Sequence, residues 1–238
     1  MKTDNKLILE NVLWGYGDRS LVASPVSVAI NSPAFILLLG ANGTGKSTLL
    51  KTLGGLLKPI AGRTVFNGES VDKLSKKEGF VAFVFAQRPH VDFMKVRDLV
   101  MSGALAHNNI ISRFSQEQIQ YFEYAVHVTG VKSIQDRYIN EISDGEFQKA
   151  MIARALMQNT SVIVLDEPTA FLDYNSKSSL FELLSDIARK EHKIIIASTH
   201  DPDLAQEKGE IFWLIKNQDL RIIHKVNLDN KKLRDELK

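Results

Sequence analysis

Short runs of apolar residues recur along the chain, and each run is bounded by polar or turn-forming residues. They lie at residues 35–39, 81–85, 162–165, 194–198 and 210–215. Runs of roughly four to eight such residues are typical of strands that are buried on both faces. The pattern therefore predicts buried strands.

The segments between these runs carry apolar residues at helical spacing. One series contains Leu180, Leu183, Leu184, Ile187 and Ala188, and another contains Ile119, Phe122 and Val126. Strands that alternate with helices predict an α/β fold with a parallel-sheet core. Near the end of the chain, residues 212–215 and 220–223 flank the polar segment KNQD and predict an antiparallel hairpin at the sheet edge.

Polar stretches at residues 67–78 and 106–118 are predicted to be loops within the same fold. The charged end, residues 227–238, alternates in sign and is predicted to be a solvated helix. No repeat or linker-like stretch divides the chain, so we expect a single domain.

Composition narrows the classes of function. Of 238 residues 44% are hydrophobic, and 30 Lys and Arg nearly balance 28 Asp and Glu. Charge this evenly balanced gives little reason to expect nucleic-acid binding by bulk electrostatics. The absence of cysteine excludes disulfides, thiolate metal sites and cysteine nucleophiles. No apolar run forms a secretory signal or approaches the ~20 residues that cross a bilayer, so we expect any membrane role to come through a partner.

A phosphate-binding pattern follows the first apolar run. The segment GANGTGKST at residues 40–48 matches G-x-x-x-x-G-K-[ST] and precedes the helical pattern LLKTLGGLL. Glycines allow the backbone N–H groups to point at phosphate oxygens, and the helix N-terminus adds its positive dipole end. Lys46 is predicted to reach the β- and γ-phosphates of a nucleotide, and Ser47 to bind Mg²⁺. The predicted nucleotide-binding residues of this loop are Gly40, Asn42, Gly43, Thr44, Gly45, Lys46, Ser47 and Thr48.

Two carboxylates follow another apolar run, at Asp166 and Glu167. At the end of a buried strand, the first can hold Mg²⁺ and the second can act as a general base toward the attacking water. An Asp-Glu pair can also cap a helix without any catalytic role. The phosphate-binding loop favours the catalytic interpretation.

The distance along the chain from Lys46 to Asp166 predicts an insertion. A simple βαβ crossover takes roughly 30 residues, and this separation is several times longer. The patterns from Arg88 to Asn159 are mostly helical. We therefore expect one domain over residues 1–238, with a core at about 1–87 and 160–238 and a helical sub-domain at about 88–159.

The order of these elements resembles the ATP-binding cassette ATPases, the ABC family, over almost the whole chain. Residues 40–48 are similar to the Walker A element of that family, and residues 162–167 to its Walker B element. The segment ISDGE at residues 142–146 resembles the signature usually written LSGGQ. Four further positions match functional residues of the family: adenine-stacking Tyr16, Q-loop Gln87 beside Mg²⁺ and the attacking water, D-loop Asp173 and switch histidine His200.

Each of these positions also has a structural alternative. Gln87 could cap a strand, and Asp173 could be an acid at a helix N-terminus, a role that is compatible with the functional one. Tyr16 could be a packing aromatic, and a single histidine such as His200 is usually structural, although active-site residues gather where parallel strands end. Ser143 and Glu146 have the spacing of a capping box, whose helix start is itself an anion site. Asp144 and Glu146 replace the glycine and glutamine of the signature, and we expect both side chains to point away from phosphate.

The resemblance implies ATP hydrolysis in a head-to-tail dimer of two copies. Each ATP, with Mg²⁺, would lie between one copy's catalytic residues and the signature and D-loop of the other, which supply Ser143, Gly145 and Asp173. The family's transporter subunits act on transmembrane permease subunits at the cytoplasmic face of the membrane, and indirectly on a substrate-binding protein.

Within the family, the chain looks most like importers of iron-siderophores, haem and vitamin B12. Three alternatives stay open at this point. They are a soluble ABC ATPase of iron–sulfur cluster assembly, a nucleotide-sensing regulator, and a DNA-repair or chromosome ATPase. Sustained heptads and zinc-binding cysteines, which the last would need, are absent from the sequence.

Overall fold

A computed structural model of the chain describes residues 4–77, 80–85, 93–107, 114–227 and 235. Its strands are β1 (Lys6–Leu13), β2 (Gly15–Tyr16), β3 (Arg19–Ser20), β4 (Val26–Asn31), β5 (Ala34–Gly40), β6 (Ala61–Phe66), β7 (Glu69–Ser70), β8 (Val81–Phe85), β9 (Val162–Asp166), β10 (Ile194–Thr199), β11 (Ile211–Lys216) and β12 (Asp219–His224). Its α-helices are α1 (Lys46–Leu53), α2 (Val71–Lys77), α3 (Val96–Met101), α4 (Gln116–Val128), α5 (Asp144–Met157), α6 (Tyr174–Glu191) and α7 (Pro202–Lys208). Short 3₁₀ helices lie at Ser102–His107, Lys132–Ile134, Ile139–Glu141 and Lys225–Asn227.

The main sheet has the strand order β12-β11-β5-β10-β9-β8. The strands from β11 to β8 are parallel, and β12 pairs antiparallel with β11 as the predicted hairpin. Six of the seven residues of β5 and all six of β10 are buried, as continuous apolar strands between two covering layers should be. The predicted α/β fold with a parallel core is confirmed.

A second sheet is antiparallel, with the order β4-β1-β6-β7. Its inward face, with Leu7 and Leu9, shares a buried cluster with Leu38 and Trp213 of the main sheet. The sequence runs used for strand prediction did not include β1. The reason is local, because Asn11 has a φ of 51° and both pairings of β1 shift register around it.

The helices between residues 93 and 158 pack on the opposite face of the main sheet. Helix α5 contacts both α3 and α4, and its Phe147 and Ile152 are buried in the same cluster as Phe122 and as Leu165 of β9. This cluster is continuous from the helices into the sheet. The helical segment is therefore held to the strands that carry the site residues.

Two predicted loops contain helical residues. The stretch 67–78 includes α2, because Val71 is buried and Leu74 packs on the cluster between the two sheets. The stretch 106–118 includes the start of α4 at Gln116, where Ser115 caps the helix. Most of the charged end lies outside the described residues. Within the part of the chain that the structure describes, no helix is long and apolar enough to span a membrane.

Candidate functional site

The phosphate-binding loop connects β5 to α1, where a parallel strand of the main sheet ends. Gly45 precedes the helix with a φ of 98°, in the left-handed region that favours glycine. A Cβ at this position would lie 2.8 Å from Leu21 Cδ1 and 3.2 Å from the indole Nε1 of buried Trp14. The loop is thus packed tightly from behind, and its conformation depends on glycine.

Lys46, the first residue of α1, carries a charge that is almost completely buried, with 5% of its side chain exposed. Its Nζ donates to the carbonyl oxygens of Gly40 at 2.8 Å and Ala41 at 3.2 Å. The same atom lies 3.8 Å from Glu167 Oε1. An ammonium at the N-terminus of a helix attracts an anion such as phosphate.

A cavity of about 690 Å³ opens over this loop. Its volume falls within the range of small-ligand pockets. It brings together nine predicted site residues: Tyr16, Asn42, Gly43, Gly45, Lys46, Ser47, Thr48, Asp166 and Glu167. Leu21, Lys51 and Phe85 also line it and were not predicted. Phe85 could have been found from topology, because it ends β8 in register with Asp166.

The two acidic residues lie where β9 ends. Glu167 has a φ of 50°, which is unusual for a residue with a side chain. Ser198 of β10 contacts both residues, donating to Asp166 Oδ1 at 2.9 Å and accepting the Glu167 N–H at 2.7 Å. Sequence reasoning did not select Ser198, because a serine inside an apolar strand carries no charge or motif.

His200 follows β10 and lies near Glu167. Its Nδ1 lies 4.0 Å from Glu167 Oε1, and about half of the side chain is exposed. It lines a second cavity of about 520 Å³ together with two predicted loop residues, Gly40 and Thr44. The next residue, Asp201, accepts the Leu204 N–H and caps α7, which fixes the segment that carries the histidine.

The oxygen atoms in the larger cavity are of the type that Mg²⁺ prefers. The Ser47 hydroxyl and the Asp166 carboxylate both line it, and hard cations take oxygen ligands. Among the described residues, no group of three His, Asp or Glu side chains could hold a metal without help. This donor set fits Mg²⁺, which is usually bound by one or two protein oxygens plus phosphate and water.

The signature-like segment begins α5. Ser143 Oγ accepts the Glu146 N–H, and Glu146 Oε2 accepts from both the N–H and the hydroxyl of Ser143. These hydrogen bonds lower the pKa of Glu146 below its ordinary value. The Glu146 carboxylate therefore turns back onto its own helix start. A Cβ at Gly145 would lie 3.8 Å from Leu172 Cδ2, so the segment adjoins the start of α6.

Asp173 caps α6, where its carboxylate accepts the N–H of Ser176 at 3.0 Å and the hydroxyl at 2.7 Å. Both hydrogen bonds lower the pKa of Asp173. Ser143, Gly145 and Asp173 are not among the described residues that line the two cavities. The structure places them on neighbouring helix starts instead.

Tyr16 lies on β2 at the rim of the larger cavity, with 58% of its surface exposed. Its hydroxyl accepts from Thr48 Oγ1 at 3.4 Å, which joins the aromatic ring to the first turn of α1. The remaining predicted site residue, Gln87, lies outside the described residues.

This chain is similar in sequence to known proteins of one family. Residues 23–170 match the ABC transporter family. The probable siderophore transport system ATP-binding protein YusV of Bacillus subtilis is 33% identical over 88% of this chain and 76% of its own length. The ferric enterobactin transport ATP-binding protein FepC of Escherichia coli is 32% identical over 81% of this chain and 71% of its own.

Solved structures are similar over nearly the whole chain. Clostridium perfringens cbiO1, part of an ABC transporter complex, superposes with a TM-score of 0.81 at 25% identity and covers 98% of this chain and 92% of its own. An ATP-binding cassette of an ABC transporter in its ADP conformation superposes with a TM-score of 0.83 at 20% identity, over 98% of this chain and 94% of its own.

Proposed function

We propose, because this chain belongs to the ABC transporter family, that it is the ATP-binding and ATP-hydrolysing subunit of a membrane importer. The proposed cargo is an iron-siderophore, or a related haem or cobalamin. Two relatives named for siderophore and ferric enterobactin transport support this cargo class. None of the relatives named above supports the alternative of iron–sulfur cluster assembly.

The proposal depends on one observation: Asp166 and Glu167 line the same cavity as the phosphate-binding loop. In the proposed mechanism, Lys46 and the N–H groups of the loop hold the β- and γ-phosphates of ATP. Ser47 and Asp166 would hold Mg²⁺, which would neutralise negative charge on the phosphates.

Glu167 is the proposed general base, and it takes a proton from the water that attacks the γ-phosphate. In the structure, Glu167 Oε1 lies 3.8 Å from Lys46 Nζ and 4.0 Å from His200 Nδ1. His200 is proposed to contact the same phosphate. Tyr16 is proposed to stack on adenine, because its exposed ring stands at the cavity rim. Gln87 is proposed beside Mg²⁺ from the family resemblance alone.

The second half of each site is proposed to come from a second copy, arranged head to tail. Ser143, Gly145 and Asp173 lie at helix starts, which attract anions, yet outside the cavity of their own chain as far as the described residues go. Permease subunits at the cytoplasmic face of the membrane, and indirectly a substrate-binding protein, are the other proposed partners. We propose a core at about 1–87 and 160–238 and a helical sub-domain at about 88–159.

An ATPase assay tests the catalytic part. Lys46→Ala is expected to lose nucleotide binding and turnover, because it removes the buried charge of the loop. Lys58→Ala, which removes an exposed lysine after α1, is the matched control and should retain both. Equal ATP affinity in the two variants would refute the proposed phosphate site.

Purification from membranes tests the transporter part. Tagged Glu167→Gln chain is isolated with ATP from detergent-solubilised native membranes. We expect a stoichiometric, strongly apolar multi-span protein to come with it. Recovery of soluble partners alone would contradict the importer proposal and would favour a soluble assembly ATPase.

A further inference from the structure

A buried serine joins the two acidic residues of the site. Ser198 lies in β10, and its side chain is fully buried. As described above, its hydroxyl donates to the Asp166 carboxylate and accepts the backbone N–H of Glu167. A hydroxyl has one proton to donate, and that proton is committed to Asp166. One side chain thus holds two consecutive residues of the neighbouring strand.

The position of Ser198 in the sheet explains why this contact exists. The pairing of β9 with β10 extends to Leu165 opposite Ala197, and β9 ends one residue later at Asp166, which still pairs with Phe85 of β8. The Glu167 N–H has left the strand ladder at that point, and a buried N–H without an acceptor is costly. The Ser198 hydroxyl takes the place of a backbone carbonyl and extends the ladder by one hydrogen bond.

The same hydrogen bond stabilises an unusual backbone conformation. Glu167 lies in the left-handed region, with its N–H held by Ser198 and its carbonyl accepting the Ala170 N–H at 3.0 Å. Such conformations persist where the surroundings hold them, and they concentrate at functional sites. Both backbone groups of Glu167 are thus fixed, and in this conformation its Oε1 lies 3.8 Å from Lys46 Nζ and 4.0 Å from His200 Nδ1.

We propose that Ser198 is a positioning residue for ATP hydrolysis, which orients the Asp166 carboxylate and the backbone of Glu167 at the same time. It is not a catalytic residue, because it is buried and acts only through these two neighbours. The inference rests on the proposed ATPase function. It adds that a residue of β10, and not of β9 itself, sets the positions of the two acidic residues at the end of β9.

Steady-state kinetics provide the first test. Ser198→Ala is expected to lower kcat about 10- to 100-fold, the usual effect of removing a group that orients a metal-binding or catalytic side chain. KM for ATP should rise by a smaller factor than the factor by which kcat falls, because Lys46 and the phosphate-binding loop are untouched. Ser198→Thr retains the hydroxyl and should recover most of the lost kcat.

The matched control removes another buried hydroxyl, at the opposite end of β9 from the two acidic residues. Thr160 precedes β9, away from the site, and its Oγ1 donates to the Val162 carbonyl at 2.9 Å. Thr160→Val should keep kcat within about twofold of the wild type. Loss of kcat to the same extent in Thr160→Val and Ser198→Ala would mean that a general loss of stability explains both, and it would overturn the proposal.

A binding measurement does not depend on turnover. In the Glu167→Gln background, affinity for ATP is measured by calorimetry with Mg²⁺ and again with EDTA. Adding Ser198→Ala should reduce the gain in affinity that Mg²⁺ provides at least threefold and leave the EDTA value unchanged, because Asp166 loses its orienting partner.

Two failures can be distinguished. In the first case, the wild-type chain hydrolyses ATP and Glu167→Gln does not, but Ser198→Ala keeps the wild-type kcat and the full increase in ATP affinity that Mg²⁺ provides. Only this inference is then wrong. If wild type and Lys46→Ala have the same ATPase rate, the proposed function itself is wrong.

Discussion

At the scale of single residues, Gly45 shows how the phosphate-binding loop depends on the packing behind it. Its φ of 98° disfavours any side chain, and a Cβ there would lie only 2.8 Å from Leu21 Cδ1 and 3.2 Å from Trp14 Nε1. Gly45→Ala is expected to lower the free energy of unfolding by about 1–3 kcal/mol and to weaken ATP binding at least tenfold. Chemical denaturation and nucleotide titration measure the two effects.

Gly68, in the turn between β6 and β7, is the matched control. Its φ of 86° is also left-handed, but a Cβ there would have no heavy atom within 4 Å. Gly68→Ala should lower the free energy of unfolding by about 1–2 kcal/mol through the backbone alone and leave ATP binding intact. Equal loss of ATP affinity in both variants would show that stability, not loop geometry, controls binding.

At the scale of elements, α5 and α4 begin with the same capping arrangement. Ser143 and Glu146 bond reciprocally at the start of α5, and Ser115 and Gln118 do so at the start of α4. Either serine-to-alanine change should lower the free energy of unfolding by about 0.5–2 kcal/mol. Only Ser143→Ala should also reduce ATP-dependent dimerisation and turnover.

This comparison separates the two roles of Ser143, the helix cap and the proposed contact with ATP of a second copy. Thermal denaturation measures the first role and the ATPase rate measures the second. If Ser115→Ala lowers turnover as much as Ser143→Ala does, the signature-like segment acts only as a helix start.

A tyrosine connects α4 with the end of α6. The Tyr124 hydroxyl donates to Glu191 Oε1 at 2.6 Å. Burial, then the hydrogen bond to Glu191 and its charge, raise the pKa of Tyr124 well above its ordinary value. The pKa of Tyr124 in the folded state exceeds that in the unfolded state. The protonated hydroxyl therefore stabilises the fold fully below pH 10, and this contribution is lost as the pH rises through the raised pKa.

Tyr124→Phe is therefore expected to lower the free energy of unfolding at neutral pH and to make its decline above pH 10 shallower than in the wild type. Urea denaturation between pH 7 and pH 11 measures both. Tyr138→Phe, which removes a tyrosine hydroxyl from a more exposed residue and keeps the ring near Lys95, should lower the free energy of unfolding at neutral pH less than Tyr124→Phe does. Parallel wild-type and Tyr124→Phe curves would contradict the assignment.

The elements differ in how well the sequence predicts them. Apolar runs indicated β5, β9 and β10 because these strands are buried on both faces, so nearly every position is apolar. The bulge at Asn11 interrupts the alternation of β1, and the polar surface of α2 conceals the apolar residues Val71 and Leu74. Long-range packing forms those two elements, and no local pattern reports it.

The site residues also differ in how well the sequence predicts them. Lys46, Ser47 and their glycines belong to a motif whose spacing is fixed by phosphate geometry, so the sequence alone indicates them. Ser198 and Phe85 contribute through the register of neighbouring strands, and the sequence does not encode register as a motif.

At the scale of the whole molecule, the proposed dimer predicts an ATP-dependent change of mass. Glu167→Gln should bind ATP, turn over at least ~10²-fold more slowly and accumulate as a dimer, because the proposed base is lost and the phosphate site is kept. Size-exclusion chromatography with light scattering measures the mass. The double variant Lys46→Ala/Glu167→Gln should remain monomeric, and a dimer that forms equally without ATP would contradict the proposal.

Trp14, which packs behind the phosphate-binding loop, is an intrinsic fluorescence probe. The chain has two tryptophans, Trp14 and Trp213, and both are buried. Within the described residues the Trp14 Nε1 has no hydrogen-bond partner, and it faces the backbone at Gly45. In a Trp213→Phe variant, emission would arise from Trp14 alone. Adding ATP should then change its fluorescence without any attached dye, because the phosphate-binding loop packs against Trp14, and Lys46→Ala should abolish this change.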